Sequence, residues 1–192
     1  MDNGLTIVLV LAVVVLGAIA AWLYLQKRRT DQLQDRFGPE YQQVVSSEGD
    51  RGRAEAALEA RAKRVSRLDI RALSVDESRQ FSDRWRLAQA QFVDDPVAAT
   101  DEADALVGEV MQARGYPMGD FQQQAEDISV DHPQVVEHYR AAHEIALRSS
   151  DHRADTEELR TAFVHYRALF DDLLETEEPA RLEQPSAREV RR

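Results

Sequence analysis

The chain has 192 residues, of which 43% are hydrophobic, and its 35 acidic against 24 basic side chains give a formal net charge of −11. This acidity disfavours a general nucleic-acid binder, because an acidic surface repels the phosphate backbone. Cysteine is absent, which excludes disulfides, thiol catalysis, thiolate zinc sites and iron–sulfur clusters.

The N-terminal segment predicts a membrane-spanning helix. Residues 5–25 carry no charge, and at a rise of ~1.5 Å per residue they span ~31 Å, about the thickness of a bilayer's hydrocarbon core. Two aromatic residues near its end and three basic residues beyond it suit a membrane interface: they are Trp22, Tyr24, Lys27, Arg28 and Arg29. By the positive-inside rule, residues 1–4 lie outside, and the main domain lies in the cytoplasm at a bacterial plasma membrane.

A cleaved signal peptide is the competing interpretation of this segment, because residues 18–20 resemble a cleavage site. The missing basic n-region, the long apolar run and the basic residues that follow it favour an anchor instead. Gly17 and Ala21 form a small-xxx-small pair, which is weak support for dimerisation of the span.

The remainder of the chain predicts an all-α fold: one transmembrane helix followed by a cytoplasmic bundle of four to six helices. Helical periodicity recurs almost throughout, and no stretch alternates convincingly like a strand. We expect a basic juxtamembrane segment over 26–36 and a helical domain over 37–178. A short helix at 39–46 either belongs to that domain or extends the membrane stalk, and the next helix covers 53–68.

Three further helix starts and stops are predicted in the first half of the domain. Ser74 and Glu77 fit a capping box, and the clearest core stripe follows it: Phe81, Trp85, Ala88 and Phe92. Asp95 with Pro96 marks the next start, and Gly115 is a natural C-terminal stop. A short helix is expected over 121–128.

Two more helices and a tail complete the chain. Asp131, with Gln134 three residues later, predicts the start of one helix, and Asp155 with Glu158 predicts the start of another. Residues 179–192 hold charges, two prolines and almost no apolar side chains, which predicts a disordered tail.

Several sequence motifs occur in an order that resembles a family. They are RFGPEY, RWRLAQAQFVDDP, ARGYP and DHPQVVEHYRAAH, starting at residues 36, 84, 113 and 131. The chain resembles an uncharacterised family of small bacterial proteins with an N-terminal anchor and a helical domain. The resemblance covers roughly residues 36–175, and it implies no activity or catalytic residue that can be transferred to this chain.

Histidines are the residues that would suit a metal site. His132, His138 and His143 lie close together beside several acids, but their spacing does not place two of them on one helix face as single-helix metal motifs do. A site would have to be assembled from different helices. We therefore expect no metal and no cofactor, and we keep these three histidines as the candidates for an alternative metal- or small-ligand-binding function.

Basic residues and one turn aromatic are the candidates for protein contacts. Residues 51–71 carry seven positive and three negative charges, so they suit an acidic partner or anionic lipid headgroups, or they pair with acidic helices of the same domain. The interaction candidates are Arg61, Arg64, Arg67 and Tyr116, the last in a Gly–Tyr–Pro turn.

No catalytic motif is found, since the chain has no nucleophile elbow and no glycine-rich loop before a lysine. The sequence thus predicts a non-catalytic, membrane-tethered interaction or scaffolding module with a protein partner at the bilayer. The alternatives are the histidine-based ligand-binding domain and a module that binds anionic lipid through residues 51–71.

Overall fold

The computed structural model describes residues 11–150 and 153–174 in full and the backbone of residues 2–10. Its helices are α1 Asp2–Phe37, α2 Pro39–Glu48, α3 Arg51–Val65, α4 Val75–Gln91, α5 Pro96–Arg114, α6 Phe121–Asp131, α7 Val136–Ser150 and α8 Thr156–Leu173. No strand occurs in this described part of the chain. The predicted all-α class is confirmed, whereas the expected tail at 179–192 lies outside the described residues.

The chain divides into two compact units, residues 1–63 and 64–192, with the boundary inside the last turn of α3. The expected limits of the helical domain, 37 and 178, stay a prediction, and residue 178 lies outside the described residues. The short helix α2 falls in the first unit, together with the C-terminal part of α1.

Helix α1 is long and apolar enough to cross a membrane. Its large apolar side chains between Leu11 and Leu25 are exposed in the folded chain, as expected of a helix whose partner is lipid. The same helix continues without a break to Phe37, where Leu33 and Phe37 are buried. One helix therefore supplies both the apolar span and part of a folded core.

The first unit has a small core formed where α1, α2 and α3 meet. Its buried apolar residues are Leu33, Phe37, Tyr41, Val44, Ala54 and Leu58. Gly38, with φ of 47°, links α1 to α2, and Gly49, with φ of 66°, ends α2. Both glycines stand in the left-handed region that residues with a Cβ rarely adopt.

The second unit packs α4–α8 around one apolar core. Helix α5 lies at its centre, because Leu106, Val110 and Met111 are fully buried. The ring of Trp85 from α4 stacks on Phe170 of α8, with ring centroids 4.5 Å apart. Trp85 belongs to the apolar stripe that the sequence predicts for α4.

The predicted caps of α4, α5 and α8 are confirmed. Ser74 and Asp155 each form a capping box with the glutamate three residues later, and the Asp95 side chain accepts from the Ala98 N–H. Each cap satisfies N–H groups that have no partner within the helix.

The predicted helix start at Asp131 is wrong. Helix α6 runs through Asp131, and α7 begins only at Val136. The His132 N–H donates to the Ile128 carbonyl at 2.8 Å and completes α6, while Pro133 follows directly and cannot continue that helical hydrogen bonding. Asp131 therefore ends one helix rather than capping the next.

Candidate interaction surfaces

Two of the candidate arginines form ion pairs within the folded chain. Arg61 contacts Glu40 at 2.8 Å, and the Glu40 side chain is fully buried. Arg64 Nε contacts Asp127 at 2.7 Å, and its Nη2 contacts Glu126 at 3.1 Å. These residues serve as internal partners for acidic side chains, which is the alternative that the sequence leaves open.

Arg67 differs from its two neighbours because its side chain is exposed and forms no ion pair with another described residue. It belongs to the turn that follows α3, where its N–H donates to the Arg64 carbonyl at 3.1 Å. Arg67 therefore remains a candidate for contact with a partner. Because Arg61 and Arg64 pair with acidic residues of the same chain, the three arginines do not form one basic surface.

The turn aromatic Tyr116 is folded inward. Its side chain is only 2% exposed, and its hydroxyl donates to Asp131 Oδ2 at 3.1 Å. Burial, together with the negative charge of Asp131, raises the pKa of Tyr116 above its usual range. Its ring is therefore not on the surface where a partner would contact it.

The three candidate histidines have different partners. His132 Nδ1 contacts a carboxylate oxygen of Asp172, and His143 stacks on Phe121 with ring centroids 3.6 Å apart. His138 Nδ1 lies 2.8 Å from His165 Nδ1. Throughout residues 2–150 and 153–174, no group of three or more His, Asp or Glu residues converges in a way that could hold a metal ion.

An apolar groove lies on the surface of the second unit, between the end of α4 and the middle of α8. It has a volume of about 160 Å³. Phe163 forms part of its base and contacts Phe92, with ring centroids 5.3 Å apart. Val93 and Val164 lie at its edge and are 85% and 61% exposed.

Two arginines of α8 border this groove. Arg160 and Arg167 line it on either side of Val164, four residues before and three residues after it, so all three share one helix face. Their side chains are 63% and 55% exposed. Each makes only a long contact with an acid of its own helix, at 3.5 Å and 3.4 Å, and such exposed pairs contribute little stability.

No pattern in the sequence predicts this groove. Val164 follows Phe163 directly but is not among the buried residues of α8, and Val93 lies just after the end of α4. An apolar residue beside a complete core stripe was the available signal, but single exposed valines are common on protein surfaces. Only the fold brings the two together.

A second cavity lies in the first unit, beside the part of α1 that follows the apolar run. It has a volume of about 470 Å³. One face of α1 lines it from Leu23 to Gln34, and Arg51 at the start of α3 lines its other side. Thr30 Oγ1 donates to Glu55 Oε1 at 2.7 Å, which fixes α3 against α1 at this point.

No family model, curated protein or solved structure matches the chain.

Proposed function

We propose that the chain is a single-pass membrane protein whose groove between α4 and α8 binds an amphipathic segment of a partner protein. In this account α1 is an anchor with its N-terminus outside and the remaining chain on the cytoplasmic side of a bacterial plasma membrane. The function is to hold the partner at the bilayer, and it requires binding without turnover.

The anchor part of the proposal is supported by the continuity of α1. The helix passes from its exposed apolar run directly to Leu33 and Phe37, which are buried. A cleavage after residue 20 would remove most of the apolar run that precedes this folded core. The basic residues 27–29 favour the cytoplasm for the side on which α1 ends.

The groove between α4 and α8 is the observation that supports binding of a partner. Its exposed valines offer an apolar contact, and its two arginines offer charges that are only weakly paired. Arg160 and Arg167 are seven residues apart, which is ~10 Å along a helix. Their complement is a segment with an apolar side chain between two carboxylates, and a helix presented in this way is a common form of peptide recognition.

A crosslinked pull-down of the full-length chain from native membranes tests this proposal. We expect one partner at near-stoichiometric yield with the wild-type chain, and a loss of about fivefold or more with Val164→Gln, because an apolar contact at the centre of the groove is removed. Leu87→Gln is the matched control, since Leu87 is an exposed apolar residue of α4 that does not line the groove.

Three outcomes of that experiment would contradict the groove assignment. The first is equal recovery with Val164→Gln and Leu87→Gln, and the second is recovery of nothing above background. The third is recovery of a second copy of the chain alone, which would make the groove a self-association surface.

A further inference from the structure

The cavity between α1 and α3 lies at the level of a membrane's headgroup layer if the apolar run of α1 spans the hydrocarbon core. The inference that follows rests on the proposed membrane-spanning position of α1, and it does not depend on the groove between α4 and α8. Lys27 follows the end of the run by two residues and Asp31 by six, which places them ~3 Å and ~9 Å beyond it. The headgroup layer occupies roughly 5–8 Å on each side of the hydrocarbon core, so the cavity extends from the acyl boundary through this layer.

The charged residues that line the cavity are two cations and one carboxylate. Lys27, Arg51 and Asp31 all line it, and their side chains are exposed. The side chains of Lys27 and Arg51 form no hydrogen bond and no ion pair with any other described residue. In contrast, neighbouring Arg29 pairs with Glu59.

The remaining lining is polar except at its membrane end. Gln26, Thr30 and Gln34 are polar, and Leu23 is the apolar member. A volume of about 470 Å³ lies within the range of small-ligand pockets. A lipid fits this order of groups, with its acyl chains along Leu23 and its polar part toward Gln34.

We propose that this cavity binds the headgroup of a phosphatidylethanolamine molecule. The phosphate lies between Lys27 and Arg51, both of which donate charge-assisted hydrogen bonds. The ammonium group lies beside Asp31, whose carboxylate accepts from it. A single carboxylate among the cations disfavours a second negative charge on the ligand, and it distinguishes this site from a purely basic surface that collects anionic lipid.

The test is native mass spectrometry of the full-length chain in mild detergent, titrated separately with phosphatidylethanolamine, phosphatidylcholine and phosphatidylglycerol of identical acyl chains. We expect the ethanolamine lipid to be retained at least about fivefold more strongly than the choline lipid, because choline has no N–H to donate to Asp31. Asp31→Asn should reduce this preference and improve retention of the glycerol lipid.

Two double variants with equal changes in charge separate the cavity from the basic region around it. Lys27→Gln/Arg51→Gln should weaken retention of the ethanolamine lipid by about tenfold. Arg28→Gln/Arg53→Gln removes two charges from the same stretch, but neither residue lines the cavity, and it should change retention by less than about twofold. Circular dichroism checks that both variants keep the wild-type helix content.

Equal weakening by the two double variants would overturn the proposal in favour of diffuse electrostatic attraction. Stronger retention of the glycerol lipid than of the ethanolamine lipid by the wild-type chain would also overturn it, and that measurement needs no variant. Neither result bears on the groove, which the partner pull-down tests separately.

Discussion

Gly115 is the residue whose backbone most clearly requires glycine. It ends α5 with φ of 99°, and a Cβ at this position would lie 2.4 Å from the carbonyl oxygen of Asp69. The loop before α4 is held beside it, because the Arg71 N–H donates to the Arg114 carbonyl at 2.9 Å. Any side chain at residue 115 must therefore displace backbone.

We expect Gly115→Ala to lower the free energy of unfolding by about 2 kcal/mol or more, from the strained φ and the clash together. Gly119→Ala is the control, because a Cβ there would touch only the flexible Gln123 side chain, at 3.6 Å or more. Its effect should stay within about 1 kcal/mol. Chemical denaturation of the full-length chain in detergent, followed by circular dichroism, measures both, and equal effects would contradict the close approach.

Asp127 is a buried carboxylate that depends on Arg64. Its side chain is 1% exposed, that of Arg64 is 37% exposed, and the two are 2.7 Å apart. Arg64→Met leaves the carboxylate without its closest cation, so we expect a loss of about 2 kcal/mol, reduced from the fully buried case because Arg64 is partly solvated.

Two further variants serve as a control and as a rescue of that loss in the same denaturation experiment. Arg67→Met removes an exposed arginine from the neighbouring turn and should change stability by less than about 0.5 kcal/mol. Arg64→Met/Asp127→Asn should be more stable than Arg64→Met alone, since the unpaired charge is gone. If the single and double variants are equally stable, Asp127 does not depend on this ion pair.

At the scale of single residues, the sequence identifies charges but not their partners. It predicts that residues 51–71 either face outward or pair within the domain, and the choice depends on contacts more than sixty positions apart, such as Arg64 with Asp127. Tyr116 shows the same limit. Its Gly–Tyr–Pro setting predicts a turn, but only the position of Asp131 decides that the ring points inward.

Helices α7 and α8 are joined by a contact between two histidines. His138 and His165 are half-buried, and their Nδ1 atoms are 2.8 Å apart. One ring must donate and the other must accept, so protonation of both would set two N–H donors against each other. Burial and the neighbouring His138 lower the pKa of His165 below its ordinary value of 6.5.

The sign of the resulting pH dependence follows from this lowered pKa. As pH falls through about 6.5, the unfolded chain binds a proton at residue 165 before the folded chain does, so stability decreases. We expect the melting temperature to fall between about pH 7 and pH 5.5, and His138→Gln/His165→Gln to flatten that decrease. An unchanged slope in the double variant would contradict the assignment.

Carboxylates titrate in a separate, more acidic range. The Arg84 hydrogen bond lowers the pKa of Glu109 below its ordinary value of 4.5, so the stability that Glu109 contributes is complete above that value and is lost as pH falls further. This second decrease should remain in the double histidine variant, and it serves as its internal control.

At the scale of elements, local signals predict the starts of three helices. The starts of α4, α5 and α8 follow from caps that involve residues only three positions apart, so they can be identified without any tertiary information. Asp131 has the same local pattern, yet α6 continues through it. A capping residue marks a helix start only if the preceding residues are not already helical, and the burial of Ile128 and Val130 keeps α6 intact to that point.

The division of the whole molecule into two units is the feature that periodicity does not reveal. Helices on both sides of Lys63 carry buried apolar residues, and an apolar stripe in the sequence does not show which other helix covers it. Leu33 and Phe37 are buried with the first unit although they lie on the helix that begins in the apolar run. The candidate groove and the candidate lipid cavity likewise depend on pairs of helices, so neither is visible in one segment.

We propose that α1 crosses a bilayer and that the rest of the chain lies on the cytoplasmic side, and this topology can be measured directly. Because the chain has no cysteine, single introduced thiols report this topology without background. The measurement is labelling of Asn3→Cys and Leu87→Cys by a membrane-impermeant maleimide in intact bacterial cells, and again after the membranes are opened. We expect residue 3 to react in intact cells, whereas residue 87 should react only after the membranes are opened. Labelling of residue 87 in intact cells, or protection of both residues until the cells are opened, would contradict it.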